Sequence, residues 1–304
     1  MIVPRSPQIR RMVEYVGRPL LVLFGYDLAV VVAYKVMHWD FVALPHVPLA
    51  LFGSAIGLIL GFRNNSAYDR WWEARKLWGV IVNNSRSWAR LVVSTVASPD
   101  ASEQQAVRTM QVRLVHHQIA YVHAIRQHLR GLAPWEELSP LLHEEEISAL
   151  QYEKNIPLAI QVQTGKLVQE CLQRGWITDL QWSLMNTNID DLADAQGGCE
   201  RIKNTPMPKQ YDYFPKLFVE IYCLVLPLTL VTNMQWYTPL GSTLVGFIFL
   251  ALDKIGRDME DPFDNTIYDV PLTSISRNIE INLRQILGEE ELPAAEVAVR
   301  GVLW

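Results

Sequence analysis

Apolar residues are gathered into a few long runs, and the rest of the chain is patterned like the surface of helices. Ile221 to Leu252 is 32 residues without one Asp, Glu, Lys or Arg. A single membrane span needs about 20 residues, so this run is too long for one. Its middle, Asn233 to Gly241, is rich in turn formers and interfacial aromatics. The pattern predicts a helical hairpin, with one span near 215–234 and the other near 238–255. Phe41 to Phe62 is a second uncharged run, and Pro45 and Pro48 in its first third place the helix start near Val47. Before it, Pro19 to His38 is apolar except for Asp27 and Lys35. Lys35 can snorkel from a span end; Asp27 must face protein or water. Buried core helices of a soluble protein are the competing reading of all these runs.

Four spans put both termini on one side. The connections 38–46 and 233–241 hold no Lys or Arg, whereas the other side receives Arg5, Arg10, Arg11, Arg18, Arg63, Arg70, Lys209, Lys216, Lys254 and Arg257, among others. By the positive-inside rule that side is cytoplasmic. The stretch 64–212 is charged and helical by period, as in Val107, Met110, Leu114, His117 and Tyr121 on one face. Leu132-Ala-Pro-Trp breaks that helix, an acidic helix start follows Ser139, and residues 155–173 and 178–202 add two more helices. No period-two strand and no internal repeat is visible. The expected organisation is an all-α membrane protein: 1–18 a cytoplasmic segment, 19–62 two transmembrane helices, 63–212 a cytoplasmic helical domain, 213–256 two further transmembrane helices, and 257–304 a cytoplasmic C-terminal segment.

Composition sharpens this picture. The 304 residues are 50% hydrophobic and 19% charged, yet the mean hydropathy is only +0.07, as expected if apolar spans are averaged with a charged bundle. The net charge of −5 leaves no footprint for nucleic acid. Cys171, Cys199 and Cys223 make neither a disulfide framework nor a zinc site. The arginine-bearing start has no A-x-A-like cleavage site after a short apolar core, so no removable signal is expected.

Catalytic signatures are missing: there is no Walker A, no G-x-G-x-x-G, no G-x-S-x-G and no H-E-x-x-H. His143-Glu144-Glu145-Glu146 looks metal-like, but carboxylates complementing a helix dipole explain it more cheaply. Asp27 and Glu220 lie within spans and read as interhelical partners, or as a substrate site or proton relay.

The second span is the most informative. Gly53, Gly57 and Gly61 recur every four residues and let another helix pack closely on that face. One position further round stand Ser54, Leu58 and Phe62 at the same spacing. In a ring of copies, Leu58 and Phe62 would form stacked apolar rings at a central axis, a constriction able to dewet. Spacing alone serves equally well for ordinary lipid-facing or helix-facing residues. Past Phe62 the sequence Arg63-Asn-Asn-Ser-Ala-Tyr-Asp-Arg-Trp-Trp-Glu-Ala-Arg75 holds no Gly or Pro, which allows the helix to continue beyond the membrane. Glu73 with Lys76 reads as a solvated surface pair.

That segment resembles the bacterial branch of the bestrophin channel family. So do the glycine-spaced span before it, the Gly197-Gly198-Cys199-Glu200-Arg201 to Pro208 segment, and Asp261-Pro262-Phe263-Asp264, in family order over residues 10 to 290. The resemblance implies a homopentamer with one central pore in a bacterial inner membrane. It also implies a neck at Ser54, Leu58 and Phe62, where Ser54 departs from the apolar pattern, and a cytoplasmic aperture at Leu180. Eukaryotic relatives bind calcium through an acidic run. Here Glu260 to Asp269 keeps four acids without the continuous cluster, so no cofactor is expected and calcium gating is disfavoured. The expected ions are monovalent cations, sodium or potassium, with Asp179 and Asp269 as candidate pore-mouth acids. The alternatives are an anion (chloride) channel of the same architecture, and a proton-coupled secondary transporter, though the inverted repeat such transporters often show is missing. The expected partners are other copies of the chain, the lipid bilayer and the permeating ions.

Overall fold

The computed structural model describes residues 1, 2, 9–44 and 48–304, with side chains from Tyr15 onward in the first helix. Arg5, the helix start near Val47 and the side chains of Arg10 and Arg11 lie outside the described residues. Every regular element among the described residues is a helix, apart from isolated antiparallel bridges pairing Val302 with Ile2 and with Val299. The chain divides into two compact units: Pro4–Trp71 with Pro206–Asp261, and Met1–Val3 with Trp72–Thr205 and Pro262–Trp304.

The first unit is apolar. It holds α1 (Ile9–Lys35), the start of α2 (Leu49–Thr95), α8 (Lys209–Met234) and α9 (Thr238–Glu260). Among the described residues two stretches here are long and apolar enough to cross a membrane, Tyr15–Lys35 and Lys209–Glu260. The second is the expected hairpin: a 3-10 turn at Gln235–Tyr237 separates α8 from α9. Pro239 sits in the first turn of α9, where a missing N–H costs nothing. The apolar part of α2 is shorter, rising only about 21 Å from Leu49 to Phe62. Ile56 and Leu60 of α2 pack with Leu23 of α1 and with Val219, Tyr222 and Leu226 of α8. Asp27 is fully buried between α1 and α9, where Thr243 donates a hydrogen bond to it at 3.2 Å. Glu220 is half exposed, with Lys216 4.0 Å away on the same helix face.

The second unit takes the rest of α2, then α3 (Gln104–Arg130), the short helices α4 (Trp135–Leu138) and α5 (Glu144–Leu150), α6 (Ile156–Gln173), α7 (Asp179–Asn204) and α10 (Leu272–Leu287). Gly131, left-handed at φ 67°, ends α3 just before the expected break. His143 caps α5, and Glu146 accepts a bond from its backbone N–H, so the acidic run is a helix start. The core is built on large side chains anchored by their polar ends: Trp88 Nε1 donates to the Leu114 carbonyl and the Tyr121 hydroxyl to that of Leu192, both at 3.0 Å. Gly198 of α7 lets Leu77 of α2 approach: a Cβ there would lie 2.8 Å from a leucine methyl.

Polar clusters join α3 to α10 and α5. His123 Nε2 donates to Glu280 at 3.0 Å, and Arg277 and Arg284 bind the same carboxylate. Burial alone would raise the Glu280 carboxyl, but these donors and the arginine charges outweigh it and bring it to about 2. Glu146 is likewise brought to about 2: burial opposes ionisation, and the bonds from His117 and Arg113 overcome it. α10 is an element the sequence pattern did not single out. Glu73 also departs from expectation, because its carboxylate binds Arg201 of α7 at 2.5 Å rather than Lys76. A guanidinium fork on a neighbouring helix competes better than a flexible lysine on the same one.

Candidate pore-lining site

The candidate neck lies on α2, whose two faces differ sharply. Ile56, Leu60, Arg63 and Ala67, spaced at helical period, are buried within their own chain. Leu58 and Phe62 are each 61% exposed, and Ser54 is exposed on the same stripe. The Ser54 hydroxyl donates to the Ala50 carbonyl at 2.8 Å, so it folds back on the helix and presents little polarity outward. Of the three glycines, Gly53 packs inside the chain, since a Cβ there would stand 2.9 Å from the Tyr222 hydroxyl. Gly57 and Gly61 have nothing within 4 Å of such a Cβ.

Directly after Phe62, polar side chains tie α2 to α9. Arg63 is 3% exposed and binds Asp253, Nη1 to Oδ1, at 2.6 Å, while its Nη2 donates to the Asp253 carbonyl. Asn64 donates to the Leu252 carbonyl at 2.9 Å and Arg70 to that of Glu260 at 3.0 Å. The approach is close enough to need glycine: a Cβ on Gly256 would lie 2.1 Å from the Asn64 amide oxygen. Sequence reasoning missed this clasp. Its signal was a lone arginine ending an apolar run, with Asp253 and Gly256 one turn apart at the end of another.

The other sequence-selected residues lie in the second unit. Leu180 is 72% exposed in the first turn of α7, with Leu184 exposed one turn later. Asp179 is exposed beside it, where a carboxylate complements the helix dipole. Asp269 is different. It is 3% exposed, and its two carboxylate oxygens accept bonds from the Thr266 backbone N–H (2.9 Å) and hydroxyl (2.5 Å). It braces a turn within its own chain. Among the described residues no group of His, Cys, Asp or Glu is placed to hold a metal ion.

Residues 10–285 match the family described as Bacterial/Fungal Bestrophin protein. The chain belongs to this family. The bestrophin assignment agrees with individual relatives. "Voltage-dependent anion channel-forming protein YneE" of Escherichia coli K12 is 34% identical over 81% of this chain and 78% of its own length. "Voltage-dependent anion channel-forming protein RSc3414" of Ralstonia nicotianae is 33% identical over 88% and 86%. The crystal structure of a bacterial bestrophin homologue from Klebsiella pneumoniae superposes with a TM-score of 0.83 at 28% identity, covering 91% of this chain and all of that one. A bestrophin-family chain is a channel component and not an enzyme, which accords with the missing catalytic signatures.

Proposed function

We propose that this chain forms an ion channel in a bacterial inner membrane, as a ring of copies, five by family resemblance, with anions as the permeating class. The observation that carries the reading is the outward stripe Ser54, Leu58 and Phe62, on a helix whose opposite face is fixed inside its own chain and whose Gly57 and Gly61 stand open. Symmetric copies meeting through the open glycines would turn the stripe to a common axis, where apolar rings throttle ions by dewetting. The four spans are α1, the start of α2, α8 and α9, with both termini cytoplasmic. Leu180 lines the aperture of the cytoplasmic part.

The ion sign changes from the sequence expectation. The relatives are named for anion channels, which favours the chloride alternative over sodium or potassium. The burial of Asp269 supports the same change, since a carboxylate closed into its own turn offers less charge to a pore mouth. An apolar neck itself has no charge preference, so selectivity must come from the flanking surface potential.

Reversal potentials in asymmetric NaCl, with the full chain reconstituted in planar bilayers, test the reading. The expected shift is toward the chloride equilibrium potential. A shift toward sodium overturns the anion assignment, and the absence of current overturns the channel. Proton-driven, saturable uptake would favour a transporter instead.

A further inference from the structure

Three helices of the apolar unit bring cations to one end of a single cleft. α1 supplies Arg18, α8 supplies Lys216 and α9 supplies Arg257, around a volume of about 630 Å³. Further along, the walls are mostly apolar, with Val22 and Leu23 from α1 and Val219 and Leu224 from α8, and Glu220 lies one turn from Lys216. The Tyr26 hydroxyl donates to the Leu224 carbonyl at 3.0 Å and stitches α1 to α8 there. A second cavity of about 420 Å³ shares Arg18, Pro19, Leu250 and Arg257 with the first and adds Lys254 together with Asp258, whose carboxylate accepts from the Tyr15 hydroxyl.

Among the described residues the cations at this end outnumber the acids: Arg18, Lys216 and Arg257 line the cleft with Glu220 and Asp253. Arg18 is exposed and makes no ion pair among the described residues. Lys216 reaches Glu220 only at 4.0 Å. Arg257 binds Asp253 at 2.7 Å, but that carboxylate is already shared with Arg63. The cleft therefore offers spare positive charge at one end and hydrocarbon-like walls at the other. A neighbouring copy covering it would have to bury Arg18 with no ion-pair partner among the described residues, which is costly.

We infer that this cleft is a binding site for an anionic phospholipid, with the headgroup held by Arg18, Lys216 and Arg257 and the acyl chain lying between α1 and α8. Basic pockets between spans at the cytoplasmic side suit such headgroups, because each cation acts where water is partly excluded. The inference rests on the membrane reading of these helices, but needs no ion current.

The test is native mass spectrometry of the full chain in detergent, titrated with dioleoyl phosphatidylglycerol, dioleoyl phosphatidylcholine or glycerol 3-phosphate. Wild-type protein should retain phosphatidylglycerol at about tenfold or more lower concentration than phosphatidylcholine. The double variant Arg18→Gln with Lys216→Gln, both at exposed positions, should lose most of that preference. Equal retention of the two lipids, or an unchanged preference in the variant, overturns the site. Displacement of the lipid by equimolar glycerol 3-phosphate overturns the lipid assignment and leaves a soluble phosphate as ligand. A chain that stays dispersed in water without detergent overturns the membrane reading itself, a result separable from all of these.

Discussion

Arg63 and Asp253 form a buried ion pair at 2.6 Å that joins the helix carrying the apolar stripe to α9, and both side chains are 3% exposed. Asp253 also binds Arg257, whose side chain is 40% exposed. The two arginines are therefore unequal. Removing the Asp253 carboxylate leaves the buried guanidinium, among the described residues, only Asp212 as a carboxylate partner, 3.9 Å away and 43% exposed, a loss of up to about 3–5 kcal/mol. Removing only the exposed partner costs about 1 kcal/mol or less. Thermal melting of detergent-solubilised protein should rank Asp253→Ala well below Arg257→Gln. Equal losses would show that the pair does not hold α2.

The Glu280 cluster sets an acid limit on the second unit. Its carboxyl is depressed from 4.5 to about 2, so its contribution is fully present above about pH 5 and is lost as pH falls toward 2. The shift corresponds to on the order of 3 kcal/mol. His123 acts in the same direction, since burial holds it below its ordinary value and it must take up a proton as the unit unfolds in acid. Glu280→Gln should lower stability at pH 7 and close the gap to wild type as pH falls through that window. A gap independent of pH would place the effect in packing rather than charge.

Gly197 and Gly198 are adjacent in α7 but differ in surroundings. A Cβ at Gly198 meets Leu77 methyls at 2.8 and 2.9 Å, whereas one at Gly197 meets nothing within 4 Å. Gly198→Ala should destabilise by about 1–3 kcal/mol through overpacking. Gly197→Ala should stabilise by about 0.5–1 kcal/mol through helix propensity. Melting temperatures moving in opposite directions would bear this out; two shifts of the same sign would not.

Most helices of both units, α10 excepted, were legible in the sequence because their signals are local. The turn formers between Asn233 and Gly241, the break after Arg130 and the acidic start at Glu144 each act within a few residues. The unbroken run past Phe62 foretold that α2 continues, here to Thr95. The errors concern partners far apart in sequence. Glu73 finds Arg201 across 128 positions, Arg63 finds Asp253 across 190, and α10 is placed by bonds such as His123 to Glu280, 157 apart. The surroundings of Asp269 were hidden for another reason: whether an acid faces water or closes its own turn depends on backbone geometry, and Thr266 three residues earlier was available to it.

The apolar stripe makes a prediction about current. Leu58 and Phe62 are exposed within their own chain, so Leu58→Ala with Phe62→Ala should leave each subunit folded. In a ring the same changes widen and wet the constriction. Single-channel recording should show a larger current or a higher open probability. Unchanged conductance and gating would remove the stripe from the neck.

The open glycines separate assembly from folding. Gly53 is committed to Tyr222 inside the chain, but a Cβ at Gly57 or Gly61 touches nothing within 4 Å. Nothing among the described residues of the isolated subunit therefore requires glycine at these two positions, and β-branched side chains cost little in such a helix beyond their propensity. If neighbouring copies approach through this face, valine there holds the helices apart and forfeits their packing. Gly57→Val with Gly61→Val should retain the helical circular dichroism of the wild type, while light scattering of the detergent complex shows its mass falling from a ring toward a single subunit. Wild-type mass in the double variant would mean that the copies meet through other faces, and the stripe beside these glycines would then lose its reason to face a common axis.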